Sequence, residues 1–263
     1  MQEWLLKRHL YLRPDMGMAG DMFISGLLGF GLPVDRLTAI MERAASKLGG
    51  ASVQAERHEL RRGIPAIGLT ISLRENLQGM RLETARFIIQ TVMEREAIHS
   101  PYFDFALRAL DILGTAEKEA HRKLDGLHHT DHHVHLHEAQ DIVMDVVGAS
   151  WALQYLSVDL ETVHCVQPVR VGGGIITFSH GTLPVPAPAT TAILAEYDIP
   201  WEPGPGRFEQ LTPTGAAILA ALNPKYIFKD GLPPNPRRLS LGKGTIETEP
   251  PNVLRLYIDE EQE

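Results

Sequence analysis

The stretch Val134-His135-Leu136-His137-Glu138-Ala139-Gln140-Asp141-Ile142-Val143-Met144-Asp145-Val146-Val147 changes its period in the middle. In an extended segment ending near His137, His133, His135 and His137 face one side and Val134 and Leu136 the other. From His137 onward the apolar residues Ile142, Val143, Val146 and Val147 recur at helical spacing. His137, Asp141 and Asp145, four apart, stack along one face of that helix. An extended segment feeding such a helix, which we extend to about Leu156, predicts an α+β protein with packed helices and a mixed or antiparallel sheet.

Working outward toward the N-terminus, the same stretch is the end of a dense imidazole run: His128, His129, His132, His133, His135 and His137. Neutral imidazole is a good ligand for borderline divalent metals, and carboxylates add harder, exchangeable donors. We therefore read these six histidines with Asp141 and Asp145 as metal-ligand candidates, with Glu138 beside them. The competing reading is a surface loop with adventitious metal affinity, followed by a solvated acidic helix face with a capping role. A scavenging loop needs no ordered carboxylates behind it, which favours the first.

Composition narrows the classes. A chain of 263 residues with 44% hydrophobic content can bury a core as one large domain or two small ones. We divide it into an α+β portion at 1–124, a His-rich loop at 125–137 and a second α+β portion at 138–263. A net charge of −8 argues against nucleic acid as a partner, because phosphates need a basic footprint. No apolar run approaches a membrane span and Met1 to Arg8 lacks a signal-peptide core, so the expectation is a soluble, cytoplasmic protein. With Cys165 the single cysteine, a metal site must be built mainly from His, Asp and Glu.

Along the chain, His9 to Leu12 reads as a strand entering Met16-Gly17-Met18-Ala19-Gly20-Asp21-Met22. There the glycines allow a tight turn and can present amides to an anion, and Asp21 can cap the following helix or hold a cation. A plain strand-to-helix turn is the simpler reading. Helical spacing covers Phe23 to Phe30 and Val34 to Leu48, strands are expected at Ser52 to Leu60 and Ala66 to Leu73, and helices at Arg81 to Glu94 and Tyr102 to Leu124. The order strand, helix, two strands, helix suggests a split βαβ unit, a ferredoxin-like start.

Beyond the acidic helix, Glu161 to Val171 is strand-like, and Gly172-Gly173-Gly174 can turn it back into Ile175 to Phe178. Pro184, Pro186 and Pro188 then suggest a stiff, polyproline-like path, either a ligand-lining wall or a linker. His180, at a strand end beside Gly181, is a further site candidate. Thr212 suits a helix N-cap with Pro213 at the first helical position, and Thr214 and Gly215 leave first-turn amides that suit a phosphate, or simply a capped helix. Gly242-Lys243-Gly244 can add a cation. Asn252 to Ile258 closes as a strand, with Asp259 heading a solvated acidic tail.

Several of these stretches together resemble the LarC family of nickel-insertion proteins: Gly17 to Met22, Val134 to Glu138, Asp141 to Asp145 with Val147-Gly148-Ala149, His180-Gly181 with Pro184 to Thr190, Thr212 to Ala217, and Pro251 to Arg255. The resemblance implies a nickel-inserting lyase (cyclometallase). Nickel is placed in pyridinium-3,5-bisthiocarboxylic acid mononucleotide through one nickel–carbon and two nickel–sulfur bonds, while CTP is hydrolysed to CMP and diphosphate. In that setting His135, His137, Glu138, Asp141 and Asp145 hold the metal, His180 or Glu138 takes the ring proton, and Thr212, Thr214 and Gly215, or Gly17 and Gly20, seat the substrate phosphate.

This chain departs from the family pattern in three places. Arg13-Pro14 stands where the family has Asp-Cys, leaving Asp15 as the nearest acid. The interval from Glu138 to Asp141 is two residues shorter, which turns Glu138 by roughly 160° if that part is helical. The segment Leu77 to Arg81 lacks the family's histidine. The resemblance also places CTP binding in a domain that follows the matched portion, so a separate chain is the expected partner; a homo-oligomer is the other partner reading. The alternative from a different class is a nickel storage or delivery protein, and a metal-dependent hydrolase is a third reading without a water-activating motif.

Overall fold

The structure is a computed structural model that describes residues 8–75, 79–124, 135–136, 139–178, 181–233 and 238–260. In chain order it forms β1 (Arg8–Arg13), α1 (Gly20–Leu28), α2 (Val34–Ala45), β2 (Ala51–Leu60), β3 (Ile64–Leu73), β4 (Met80–Arg81), α3 (Leu82–Arg95) and α4 (Tyr102–Leu124). There follow β5 (His135–Leu136), α5 (Ala139–Tyr155), β6 (Val158–Val166), β7 (Val169–Arg170), β8 (Ile175–Phe178), β9 (Gly181–Pro184), α6 (Pro188–Glu196) and β10 (Trp201–Glu202). The last elements are α7 (Pro213–Leu222), β11 (Lys225–Ile227), β12 (Arg238–Lys243) and β13 (Val253–Glu260).

The principal sheet has the order β11-β6-β1-β13-β12-β3-β2 and is mixed. Strands β1, β6 and β11 are parallel, β13 runs antiparallel to both β1 and β12, and β3 is parallel to β12 and antiparallel to β2. Strands from both sides of residues 125–134 thus share one sheet. The split βαβ expectation needs correction: β1 and β3 do run in the same direction, but β13 and β12, from the far end of the chain, lie between them, so no ferredoxin-like adjacency exists. The tail reading also changes, because β13 continues through Asp259, which pairs with His9.

Alternation along the central strands sets the layers. On β1, Leu10 and Leu12 are fully buried beneath the helices, while Tyr11 between them stacks on His164 of β6 with ring centroids 4.7 Å apart. Helix α1 lies on β3, β12 and β13, and α5 packs against α1, α2 and α4. From Ile142 to Leu153 the side chains of α5 are buried on every side, Asp145 included. The expected two-faced helix is therefore a core helix, as its near-continuous run of Ile, Val, Met, Ala and Gly requires. Gly148 permits this, since a Cβ there would stand 2.9 Å from Met41 Cγ of α2.

Polar anchors tie the helical layers together. Glu96, just after α3, is buried and takes guanidinium groups from both Arg36, at 2.6 Å, and Arg43 of α2. Gln140, in the first turn of α5, donates to the carbonyls of Leu48 and, at 2.7 Å, Glu75. Arg108 of α4 donates to the Ala221 carbonyl of α7.

Two local expectations fail for identifiable reasons. Strand β8 does not fold back on β6 but pairs with β9, because the positive φ angles of Gly172 and Gly174, +90° and +86°, redirect the chain. The proline-rich path is extended only through Pro184, where β9 ends, and bends at Val185 and Pro186. Pro188 opens α6, where its missing N–H costs nothing and its fixed φ suits the first turn. Among the described residues no helix is long and apolar enough to cross a membrane.

Candidate functional site

At the end of β1 the chain must leave the sheet and enter α1. Gly17 makes the turn at φ +80°, and a Cβ there would stand 2.1 Å from the Gln210 carbonyl oxygen. Next to it the Met18 amide donates to that carbonyl at 2.9 Å, and the Thr212 amide donates to the Met18 carbonyl at 3.2 Å. The segments preceding α1 and α7 are therefore laced together, and both helices start at the same end of the sheet.

The start of α7 is as expected in kind: Thr212 is the N-cap, its Oγ1 accepting from the Gly215 amide at 3.0 Å, and Pro213 occupies the first turn. Gly215 itself serves close packing rather than an open cradle. A Cβ there would lie 2.1 Å from the Met18 carbonyl oxygen, and Thr214 is buried.

The start of α1 carries the acids. Its N-cap position is Ala19, so Asp21 is not the cap but sits in the first turn, its Oδ1 accepting from the Met22 amide at 2.8 Å. Gly20 lies directly under Asp145 of α5, for a Cβ at Gly20 would stand 1.8 Å from Asp145 Oδ2. Asp141 is one turn earlier on α5 and close enough to act on Asp21 electrostatically. Burial pushes the Asp21 carboxyl up to about 6, the Met22 amide opposes that, and the charge of Asp141 adds to it. Burial raises Asp141 as well.

Asp21 and Asp141 therefore face each other electrostatically where α1 begins beneath α5, both in surroundings that penalise negative charge, and Asp145 packs on Gly20 beside them. Oxygen donors so placed gain from a divalent cation. Among the described residues no group of three or more His, Cys, Asp or Glu is positioned to hold a metal ion together. The imidazole candidates are placed only in part: His135 is in β5, paired through its backbone with Arg81, while His128, His129, His132, His133, His137, Glu138 and His180 lie outside the described residues.

The raised Asp21 carboxyl makes stability pH-dependent. Its value in the folded chain, about 6, exceeds the ordinary carboxylate value near 4, so the folded state binds the proton more tightly. Folding is thus favoured below pH ~4 relative to neutral pH, and this contribution is lost as pH rises through about 6. Asp21→Asn should flatten that dependence in the metal-free protein and stabilise it at pH 7 by on the order of 2 kcal/mol. Urea unfolding at pH 4.5 and 7 for both proteins checks this, and equal pH slopes would refute it.

Asp15, the acid nearest to Arg13-Pro14, is committed elsewhere. Its Oδ2 meets Arg13 Nε at 2.7 Å and Arg255 at 3.2 Å, and its Oδ1 faces Lys229 Nζ at 3.7 Å. Arg13 and Arg255 stand out in the sequence only as parts of motifs, and Lys229 does not stand out at all. Arg255 is opposite Arg13 in the β1–β13 register, and Lys229 arrives because β11 lies in the same parallel set as β1, so sequence spacing holds no trace of the cluster.

A mixed sheet whose helical layer buries Asp145 against the start of its first helix, with Asp21 and Asp141 close by, defines an α+β protein. A family model described as nickel insertion protein matches residues 10–263, and the chain belongs to that family. A relative from Geotalea uraniireducens is 33% identical over 258 residues, covering 96% of this chain and 61% of its own length. One from Methanothermobacter thermautotrophicus is 34% identical, covering 91% of this chain and 56% of the relative. A third, from Clostridium kluyveri, carries the name pyridinium-3,5-bisthiocarboxylic acid mononucleotide nickel insertion protein and is 32% identical, with 96% of this chain and 62% of the relative covered. The chain thus spans about three fifths of the length of the curated relatives it matches. No solved structure matches.

Proposed function

We propose that this chain takes part in inserting nickel into pyridinium-3,5-bisthiocarboxylic acid mononucleotide, acting with the portion of the relatives' length that the match leaves uncovered. Family membership across residues 10–263 carries the reading. The carboxylates Asp21, Asp141 and Asp145 supply the chemistry that supports it. Oxygen donors and imidazoles bind nickel less firmly than thiolates do, so a substrate with two sulfur donors can take the metal over. Histidines of the 128–137 tract would complete the ligand set. The ring carbon that bonds nickel must lose a proton, and His180 or Glu138 is the proposed base. CTP, hydrolysed to CMP and diphosphate, is assigned to the uncovered portion, whether on this chain or a partner.

The test incubates the purified chain, with and without that portion, with nickel, CTP and the mononucleotide, and follows the metallated product. Product formed only with the portion present is the expected result. Nickel bound without turnover in either mixture would replace this reading with storage or delivery, to which the histidine tract is equally suited.

A further inference from the structure

The parallel strands β1, β6 and β11 are neighbours, so their carboxyl ends open on one side of the sheet. Such ends are where open sheets receive ligands. Here each end delivers a cation: Arg13 closes β1, Arg170 closes β7 four residues after β6, and Lys229 follows β11 by two. Arg255 joins them from β13. Between them lies an open pocket of about 450 Å³ lined by Asp15, Arg170, Pro203, Gly204, Pro205 and Lys229. That volume is within the range of small-molecule sites.

The charge of this pocket runs against that of the chain. Around it Arg13, Arg170, Lys229 and Arg255 face the carboxylates of Asp15 and Glu202, in a protein of net charge −8. Local reversal of sign attracts an anion that the molecule as a whole repels. The two lining cations are also held with donors to spare. Arg170 NH1 donates to Glu202 Oε2 at 2.6 Å and to the Pro203 carbonyl at 3.2 Å, which orients the guanidinium. Among the described residues its other nitrogens find no acceptor. Lys229 Nζ, 3.7 Å from Asp15 Oδ1, is beyond hydrogen-bond length. A fixed guanidinium beside an ammonium is a phosphate receptor. The backbone locks the pocket to the site, since the Arg170 amide donates to the Pro14 carbonyl at 3.3 Å.

We propose that this pocket seats the phosphate monoester of the pyridinium mononucleotide through Arg170 and Lys229, with Asp15 positioning the lysine. The assignment rests on the proposed function for the identity of the ligand. One short segment, Asp15 to Asp21, joins the pocket to the carboxylates along the chain.

Nicotinic acid mononucleotide, its riboside without phosphate, and CTP are the probes, titrated calorimetrically into the full chain at fixed ionic strength. Wild type should bind the mononucleotide at least about tenfold more tightly than the riboside. Arg170→Gln and Lys229→Gln should each weaken the mononucleotide by roughly tenfold and leave the riboside unchanged. Both side chains are partly exposed, so thermal unfolding should hold and separate nickel titrations should be unaltered. Equal affinity for mononucleotide and riboside, no binding of either by wild type, or variants without effect overturns the proposal. CTP bound more tightly than the mononucleotide, with the same losses in the variants, overturns the ligand assignment and makes this a triphosphate site. Phosphate discrimination that persists where nickel insertion fails would sink the proposed function and leave the pocket.

Discussion

Gly17→Ala is expected to lower the unfolding free energy by about 3 kcal/mol or more. Two costs add at this position. The backbone is at φ +80°, where a Cβ is strained, and the new carbon would stand 2.1 Å from the Gln210 carbonyl oxygen. The obstacle is main chain, so no side chain can rotate away. The 14–19 and 210–212 segments must part, breaking the Met18–Gln210 and Thr212–Met18 hydrogen bonds. Gly31→Ala is the control. Its φ is +91°, but the nearest atom is Arg238 NH2 at 3.6 Å, so only the conformational cost of about 1 kcal/mol remains. Chemical denaturation of both variants decides: equal losses would mean that the lacing of the two loops contributes nothing.

Asp141→Asn and Asp145→Asn should each weaken nickel binding by at least about tenfold while the metal-free fold survives. Changing even a residue that only supports a ligand costs about 10- to 100-fold in metal affinity, and a direct ligand should cost no less. Asparagine keeps the shape and one oxygen but removes the charge that the cation compensates. At Asp145, buried against Gly20, asparagine conserves the volume of the side chain, so the metal-free fold should survive the change. Isothermal titration with nickel alongside thermal unfolding separates the two effects. Unchanged nickel affinity in both variants would confine metal binding to the histidine tract and detach the helix from the chemistry.

Much of the secondary structure was legible. The two strands joined by Arg61 to Gly63 and the helices at residues 82–95 and 102–124 follow from period and turn residues alone, as does the Thr212-Pro213 helix start. Strand β12 was not, because Gly242 looks like a turn residue. In the fold a Cβ there would stand 1.8 Å from the Met22 carbonyl oxygen, so the glycine exists to let α1 settle on the sheet. Local pattern cannot distinguish a glycine needed for a turn from one needed for contact with a residue far along the chain.

The amino-acid sequence by itself determined the α+β class, the placing of Asp141 and Asp145 on one helical turn, and the family, because each is written in local spacing or in motif order. Tertiary structure decided the rest. It interposed β12 and β13 between β1 and β3, buried α5 on all sides, carried Gly20 under Asp145, and gathered Arg13, Arg170, Lys229 and Arg255 around Asp15. The reason is physical: hydrophobic burial and strand pairing act between surfaces, and those surfaces meet only when the chain closes its sheet with its last strand.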